Sequence, residues 1–458
     1  MRRIAAAIAL AAAAALAVSF AASAADPEIK FEKYKLGNGL TVILSEDHRL
    51  PQVAVDVWYH VGAANQTPGH SGFAHLFEHM MFSGSRHVQP SPFQVLEALG
   101  ATGLNGTTNF DRTNYFEVVP SSQLAAALWV ESDRMGYLLD TLDDQKLKIQ
   151  RDVVSNEKRQ NYENRPYGQA GLRLCDILFP KPHPYYECVI GDIGDIQQAS
   201  AHDVREFFRT FYGPQNASLA IVGDFDPKIA KELVEKYFGA VPRGPAVKPP
   251  QIPQPDLPGV VRETVDDKLA EVPRLVLAWK GVRQFTDEEP AGDVLGDVLG
   301  SGRTSRLYKA LVFERHLASG VSASNVTLGL GGWFQITVTA ASGHTIAELL
   351  PVVEQIVSDI QANGPTREEV DRATRNIVAG RLRTMERIGG FGGKADLLNT
   401  YETFLGDPGY LPRDIARYRA VTPQAVQAFA RQFLVPGKRV ELDVVPVAKT
   451  ASAAGAQR

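Results

Sequence analysis

The chain is expected to be an α+β protein of two related halves, each an antiparallel sheet packed with helices, joined by a proline-rich linker. Three observations predict this. The segment SAHDVREFFRTFYGPQNASLAIVGD, from Ser200, is echoed by TPQAVQAFARQFLVPGKRVELDVVP, from Thr422, with Val204 against Val426, Phe207 against Phe429, Phe211 against Phe433 and Pro214 against Pro436. Each copy reads as a capped amphipathic helix, a proline-bearing turn and an alternating strand, so a long unit is duplicated. Between the copies, VPRGPAVKPPQIPQPDLPG (241–259) holds too much proline for helix or central strand. Strands come first in each half, helices follow, and one strand returns at its end.

The elements follow in order. Met1-Arg2-Arg3, an apolar run from Ile4 to about Ala22 and the small-x-small Ala22-Ser23-Ala24 read as a secretory signal peptide, 1–24, cleaved after about Ala24. No later stretch is long and apolar enough to span a bilayer, so the mature chain is expected to be exported, to the periplasm of a Gram-negative host. The first half is assigned to 25–240. KYKLGNGLTVILSEDHRLPQVAVDVWYHVG reads as two strands with an Asn38-Gly39 turn before LTVIL, and SSQLAAALWVESDRMGYLLD and the run around LKIQRDVVSNEKRQ as long helices. After the linker, the second half is assigned to 260–447, with a flexible tail at 448–458. With 44% hydrophobic and 22% charged residues the chain has enough apolar content for large cores, and a net charge of −4 makes no case for nucleic acid or an anionic membrane. Cys175 and Cys188 lack metal-site spacing; a local disulfide and a pair of buried thiols are both compatible with them.

Chemistry concentrates at AHLFEHMMFSGS, 74–85. On a helix, His75 and His79 stand one turn apart on one face, where two imidazoles can share one Zn²⁺. Glu78 lies near that face. Zinc lowers the pKa of a water to about 7, and a carboxylate beside it can take the proton. Phe77, Met80, Met81 and Phe82 mark the helix as mostly buried. A catalytic zinc needs a third protein ligand, and spacing alone leaves Glu117, Glu131, Glu157 and Glu163 open.

HLFEHMMFSGS, with GLNGTTNFDRTNYFEVVP after it and RDVVSNEKRQ further on, resembles the pitrilysin/insulinase family of inverted-motif zinc metallopeptidases. The resemblance extends over nearly all the mature chain, including its two-half plan. It implies one Zn²⁺ per chain held by His75, His79 and Glu157, with Glu78 as general base for peptide hydrolysis. The family's companion glutamate, two turns before the third ligand, falls on Gln150. Asn105, Gly106 and Thr107 would lie beside an extended substrate that adds to a sheet edge. In the second half DVLGD replaces HLFEH, so His75, Glu78 and His79 face Asp293, Gly296 and Asp297, and no second zinc site of this type is expected. SGRTSRLYKALVFERHLASGV holds the family's SRLY helix. The arginine–tyrosine pair that stabilises the tetrahedral intermediate in complete members falls on Val312 and Ser319, with Arg315 and His316 out of register on the surface. The resemblance therefore implies the zinc-bearing subunit of a heterodimer, closing as a clamshell with a related subunit that lacks the zinc motif and carries the pair. A non-catalytic assembly protein and a self-sufficient homodimeric peptidase are the competing expectations.

Overall fold

The computed structural model describes residues 27–447; the expected signal peptide 1–24 and tail 448–458 lie outside the described residues. The first sheet has six strands: β1 (Glu32–Lys35), β2 (Thr41–Glu46), β3 (Gln52–Tyr59), β4 (Thr102–Thr108), β5 (Thr113–Pro120) and β6 (Ala217–Gly223), in the order β1-β2-β6-β3-β5-β4. The second has five: β7 (Val261–Asp267), β8 (Arg274–Lys280), β9 (Ala318–Thr327), β10 (Gly332–Ala340) and β11 (Val440–Pro446), in the order β7-β11-β8-β10-β9. Apart from the edge strand β1, the plans match strand for strand. In each, the returning strand lies parallel to the first strand of the shared plan (β2–β6, β7–β11), and every other ladder is antiparallel. The helices Ala201–Phe211 and Pro423–Phe433 precede the returning strands, N-capped by Ser200 and Thr422.

One element departs from the sequence expectation. The opening stretch holds three strands rather than two, because Glu32–Lys35 pairs with Thr41–Leu44 across the Asn38-Gly39 turn. This edge strand is exposed or half-exposed throughout, so it carries no apolar alternation to announce it. Residues 241–259 have neither helix nor strand.

The halves interlock. The inner face of the first sheet (Val42, Leu44, Val53, Val55, Val57, Leu219, Ile221) packs on its own half's helices through Phe73, Phe77, Leu128, Val204 and Val234. Its outer face, with Ile43, Ala54, Ala220 and Val222, is covered by second-half helices through Ala395, Leu398, Leu411 and Ile415. Reciprocally, the first-half helix Gly168–Leu178 sends Leu174 and Leu178 onto Val276, Ala278, Val440 and Leu442 of the second sheet. Polar bonds pin the exchange: Asn399 donates from Nδ2 to the Asp56 carbonyl at 2.9 Å and accepts at Oδ1 from Ser218 at 2.7 Å. A sheet with two apolar faces needs cover on both, and each half takes its second cover from the other.

Candidate metal centre

The helix Phe73–Met80 begins at Gly72, whose φ of +80° and whose contact with Ile190 leave no room for a Cβ. Phe77 is stacked against Phe207 at 5.2 Å and Tyr212 at 5.0 Å between ring centroids. His75 and His79, two positions away on either side of Phe77, are turned to the opposite face. There they meet the helix Asp144–Lys158, which starts on the Asp143 cap and buries Leu147, Val154 and Lys158. Lys158 anchors the end of that helix by donating to the Gly191 carbonyl at 2.7 Å, which leaves the adjacent Glu157 facing the histidines. The helix then widens into a π-turn, Arg159–Glu163, and Asn161 reaches back to donate to Glu157 Oε1 at 3.2 Å.

Three atoms converge. His75 Nε2 and His79 Nε2 are 3.3 Å apart, and Glu157 Oε2 lies 3.1 Å from His79 and 3.5 Å from His75. Ligands about 2.0–2.1 Å from a tetrahedral zinc are separated by about 3.3 Å, so the triangle has the right size for one ion with a fourth position open. Glu78 closes a cluster with His75 and His79 whose candidate ligand atoms all lie within 4.8 Å of one another. Of the four glutamates that spacing left open, only Glu157 takes part in this triangle. Glu131 is tied to Arg134, Glu117 is buried behind it, and Glu163 ends the π-turn.

The surroundings set the charges. Burial, with His79 beside it, lowers the His75 pKa to about 4, so its imidazole is neutral and available as a ligand at neutral pH. The hydrogen bond from His79 holds Glu157 below the usual carboxylate range. Burial pushes the Glu78 carboxyl up, opposed by a hydrogen bond from Thr108 at the end of β4.

The segment proposed to lie beside a substrate divides by face. Asn105, Gly106 and Thr107 lie in β4, the edge of the six-stranded sheet. Thr107 pairs with Asn114, and its hydroxyl donates to Asn114 Oδ1 at 2.6 Å while Arg112 donates to its carbonyl at 2.9 Å. Its side chain, and by strand alternation that of Asn105, stands on the sheet face away from the metal cluster. Gly106 is on the cluster side, where a Cβ would meet Phe82 at 2.8 Å, so the glycine makes room for that ring. Thr108, one residue beyond the sequence-based selection, is the member of β4 that touches Glu78. Gln150, at the companion position, donates to Ser83 Oγ at 2.9 Å and ties the two ligand-bearing segments together. Asn161 and Thr108 were missed because both act across a turn or between elements, where no local period points.

Comparison with known proteins identifies the lineage. Residues 41–172 match the family model described as Insulinase (Peptidase family M16), and residues 198–377 match the Peptidase M16 inactive domain. The chain belongs to this insulinase family. The zinc protease PqqE of Helicobacter pylori is 28% identical over 78% of this chain and 80% of that protein. An uncharacterized zinc protease of Streptomyces coelicolor is 24% identical over 90% of this chain and 88% of its own length. Among solved structures, a protease from Helicobacter pylori superposes with a TM-score of 0.85 at 24% identity, covering 92% of this chain and all 100% of that one.

In this insulinase-family chain the second half carries no metal cluster among the described residues. Asp293 accepts from the Tyr418 hydroxyl at 2.6 Å and from Asn325 at 2.9 Å, and Asp297 lies against Asn376 at 3.5 Å. Val312 packs against the second core, Ser319 donates to the Ala340 carbonyl at 3.1 Å, and Arg315 and His316 are exposed. Arg306 of the SRLY segment binds Glu369 through two nitrogens, at 2.8 Å each, and Asp359 at 2.6 Å, which makes it a structural clamp between helices. Cys175 and Cys188, left open by the sequence, are joined as a disulfide.

Proposed function

We propose that the chain is an exported zinc metalloendopeptidase subunit that hydrolyses peptide bonds in peptides or unfolded segments. The observation that carries this reading is the triangle of His75, His79 and Glu157 atoms, 3.1–3.5 Å on a side, with Glu78 beside it. Zinc supplies, when bound, Lewis acidity toward a carbonyl and toward a water. The chain's own groups do the rest. Glu78 receives the water's proton at its carboxylate and passes it to the departing amine, with Thr108 holding that carboxylate in position. The edge of β4 lays an extended peptide past the cluster by adding it as a strand. Phe82, packed over Gly106, keeps the floor of the site apolar.

In the active site so assembled the positions of the arginine–tyrosine pair hold Val312 and Ser319, whose hydroxyl is spent on the Ala340 carbonyl, so neither serves the developing oxyanion. A related subunit that supplies an arginine–tyrosine pair and closes over the cleft as the other shell of a clamshell completes it. The signal-like first residues and the Cys175–Cys188 disulfide support export to the periplasm. Peptide cleavage by the mature chain, alone and mixed with the product of a neighbouring related reading frame, tests the reading. Activity only in the mixture, lost with Glu78→Gln in this chain, is the expected result. Full activity of the chain alone removes the partner requirement, and zinc retention without cleavage under any pairing returns the chain to an assembly role.

A further inference from the structure

A cavity of about 550 Å³ opens where β4 begins, at the far end of the strand from Glu78. The first half lines it with Leu50, Thr102, Gly103 and Val118, and the second half with Ile388 and Phe391 of a glycine-rich turn. That turn is shaped by Gly390, Gly392 and Gly393 at positive φ. It approaches β4 closely, with Gly390 Cα 3.6 Å from where a Cβ on Gly103 would stand. Leu50 and Phe391 are 63% and 57% exposed and stand together at this one cavity, so the apolar surface they offer to solvent is grouped rather than scattered. Phe391 is held edge-on to Phe116 at 5.0 Å, so its ring is presented rather than loose. At the rim Asp47 binds Arg49 at 2.6 Å and Lys394 at 2.6 Å, while Glu386 and Arg387 add one charge of each sign.

The cavity is continuous with the edge strand. Pairing between β4 and β5 holds at Thr102–Val118, lapses, and resumes at Asn105–Phe116, so the strand is re-aimed at Gly103. From Thr108 to Gly103 the strand covers five steps, about 17 Å at the rise of a β-strand. A peptide added to β4 continues an antiparallel series, since the ladders β4–β5, β5–β3 and β3–β6 are all antiparallel. Its chain then runs from the Thr108 end toward Thr102, with its C-terminal part at the cavity.

We propose that this cavity is a remote substrate subsite, taking a large apolar side chain about five residues to the C-terminal side of the scissile bond. The inference rests on the peptidase reading above and adds a specificity element to it. The two halves jointly build the subsite, so it exists only in the interlocked chain.

The test uses zinc-loaded, full mature chain carrying Glu78→Gln, and fluorescently labelled peptides built around one cleavable centre. They carry phenylalanine or alanine five residues to its C-terminal side, or phenylalanine at the equivalent N-terminal position. The expected result is about tenfold tighter binding of the C-terminal phenylalanine peptide, lost on Phe391→Ala or Leu50→Ala, with the alanine peptide unaffected by either change. Equal binding of all three peptides, or an effect of phenylalanine on the N-terminal side alone, overturns the subsite while the peptidase reading stands. Failure to bind any peptide, joined to failure of the wild-type chain to cleave with or without its partner, overturns both.

Discussion

The two halves share one topology and treat the same place in it in opposite ways. In the first half, the helix Phe73–Met80 stands off β4, with Glu78 at Thr108 and Phe82 over Gly106. In the second, Glu289–Gly300 lies directly on β9. Gly292, Gly296 and Gly300 recur every fourth residue on the side facing that strand, where added Cβ atoms would meet Asn325 at 2.7 Å, Ala323 at 3.3 Å and Ala323 again at 2.1 Å. Aligned through Ser83-Gly84 and Ser301-Gly302, Gly296 stands for Glu78 and Gly300 for Phe82. The gap that holds Glu78 in one half is closed by bare helix backbone in the other.

The sharpest way to break the comparison is to remove the base. Glu78→Gln should lower peptide cleavage by roughly 10²–10⁴-fold, the range for a positioned acid–base group, with zinc still near one per chain by elemental analysis. Loss of zinc with the activity would make Glu78 a ligand instead. Next, refilling the closed gap should be costly. Gly300→Val drives a branched side chain into Ala323 and should destabilise the chain by about 3 kcal/mol in denaturant melts, whereas Gly320→Ala, with open space around its Cβ, should stay within about 0.5 kcal/mol. Equal stability of the two variants would mean that the second helix does not rest on β9.

A smaller effect probes the support of the metal site. Asn161→Ala leaves Glu157 without its partner on Oε1, and zinc affinity by chelator competition should fall about tenfold. Unchanged affinity would make that contact incidental. Smallest is an acid-dependent term confined to the second half. Burial raises the Glu369 carboxyl, but Arg306 and the Thr366 backbone outweigh it and bring the pKa down to about 2. A depressed value means stability present above the ordinary carboxylate pKa and lost as pH falls from about 4.5 toward about 2. Glu369→Gln in zinc-free protein should therefore cost about 1 kcal/mol at pH 7, with the deficit closing below pH 4. A deficit independent of pH would assign the effect to packing.

Much of this was legible in the residues because it is local. A helix puts positions four apart on one face, so His75, Glu78 and His79 declared a metal-holding group before any fold was known. The duplication was visible because Val204, Phe207 and Phe211 and their counterparts Val426, Phe429 and Phe433 serve the same packing. The short strand β1 escaped because its residues are exposed along its whole length, leaving no burial pattern to read. The way the β4 side chains divide between faces was hidden for another reason. A strand alternates faces, so Thr107 and Asn105 point from the cluster while Thr108 reaches it, and a run of neighbours cannot all serve one site.

By itself the sequence determined the inverted histidine motif, the doubled αβ plan and the replacement of that motif by Asp293, Gly296 and Asp297 in the second half. Tertiary structure alone decided that each half covers the other's sheet and that a cavity forms where Gly103 meets the Gly390 turn, and it brought Glu157, which spacing could not choose and the family resemblance singles out, onto the histidines. The division has a physical reason. Backbone periodicity sets the spacing of side chains within an element, whereas contacts between elements far apart in sequence depend on how apolar faces find mutual cover.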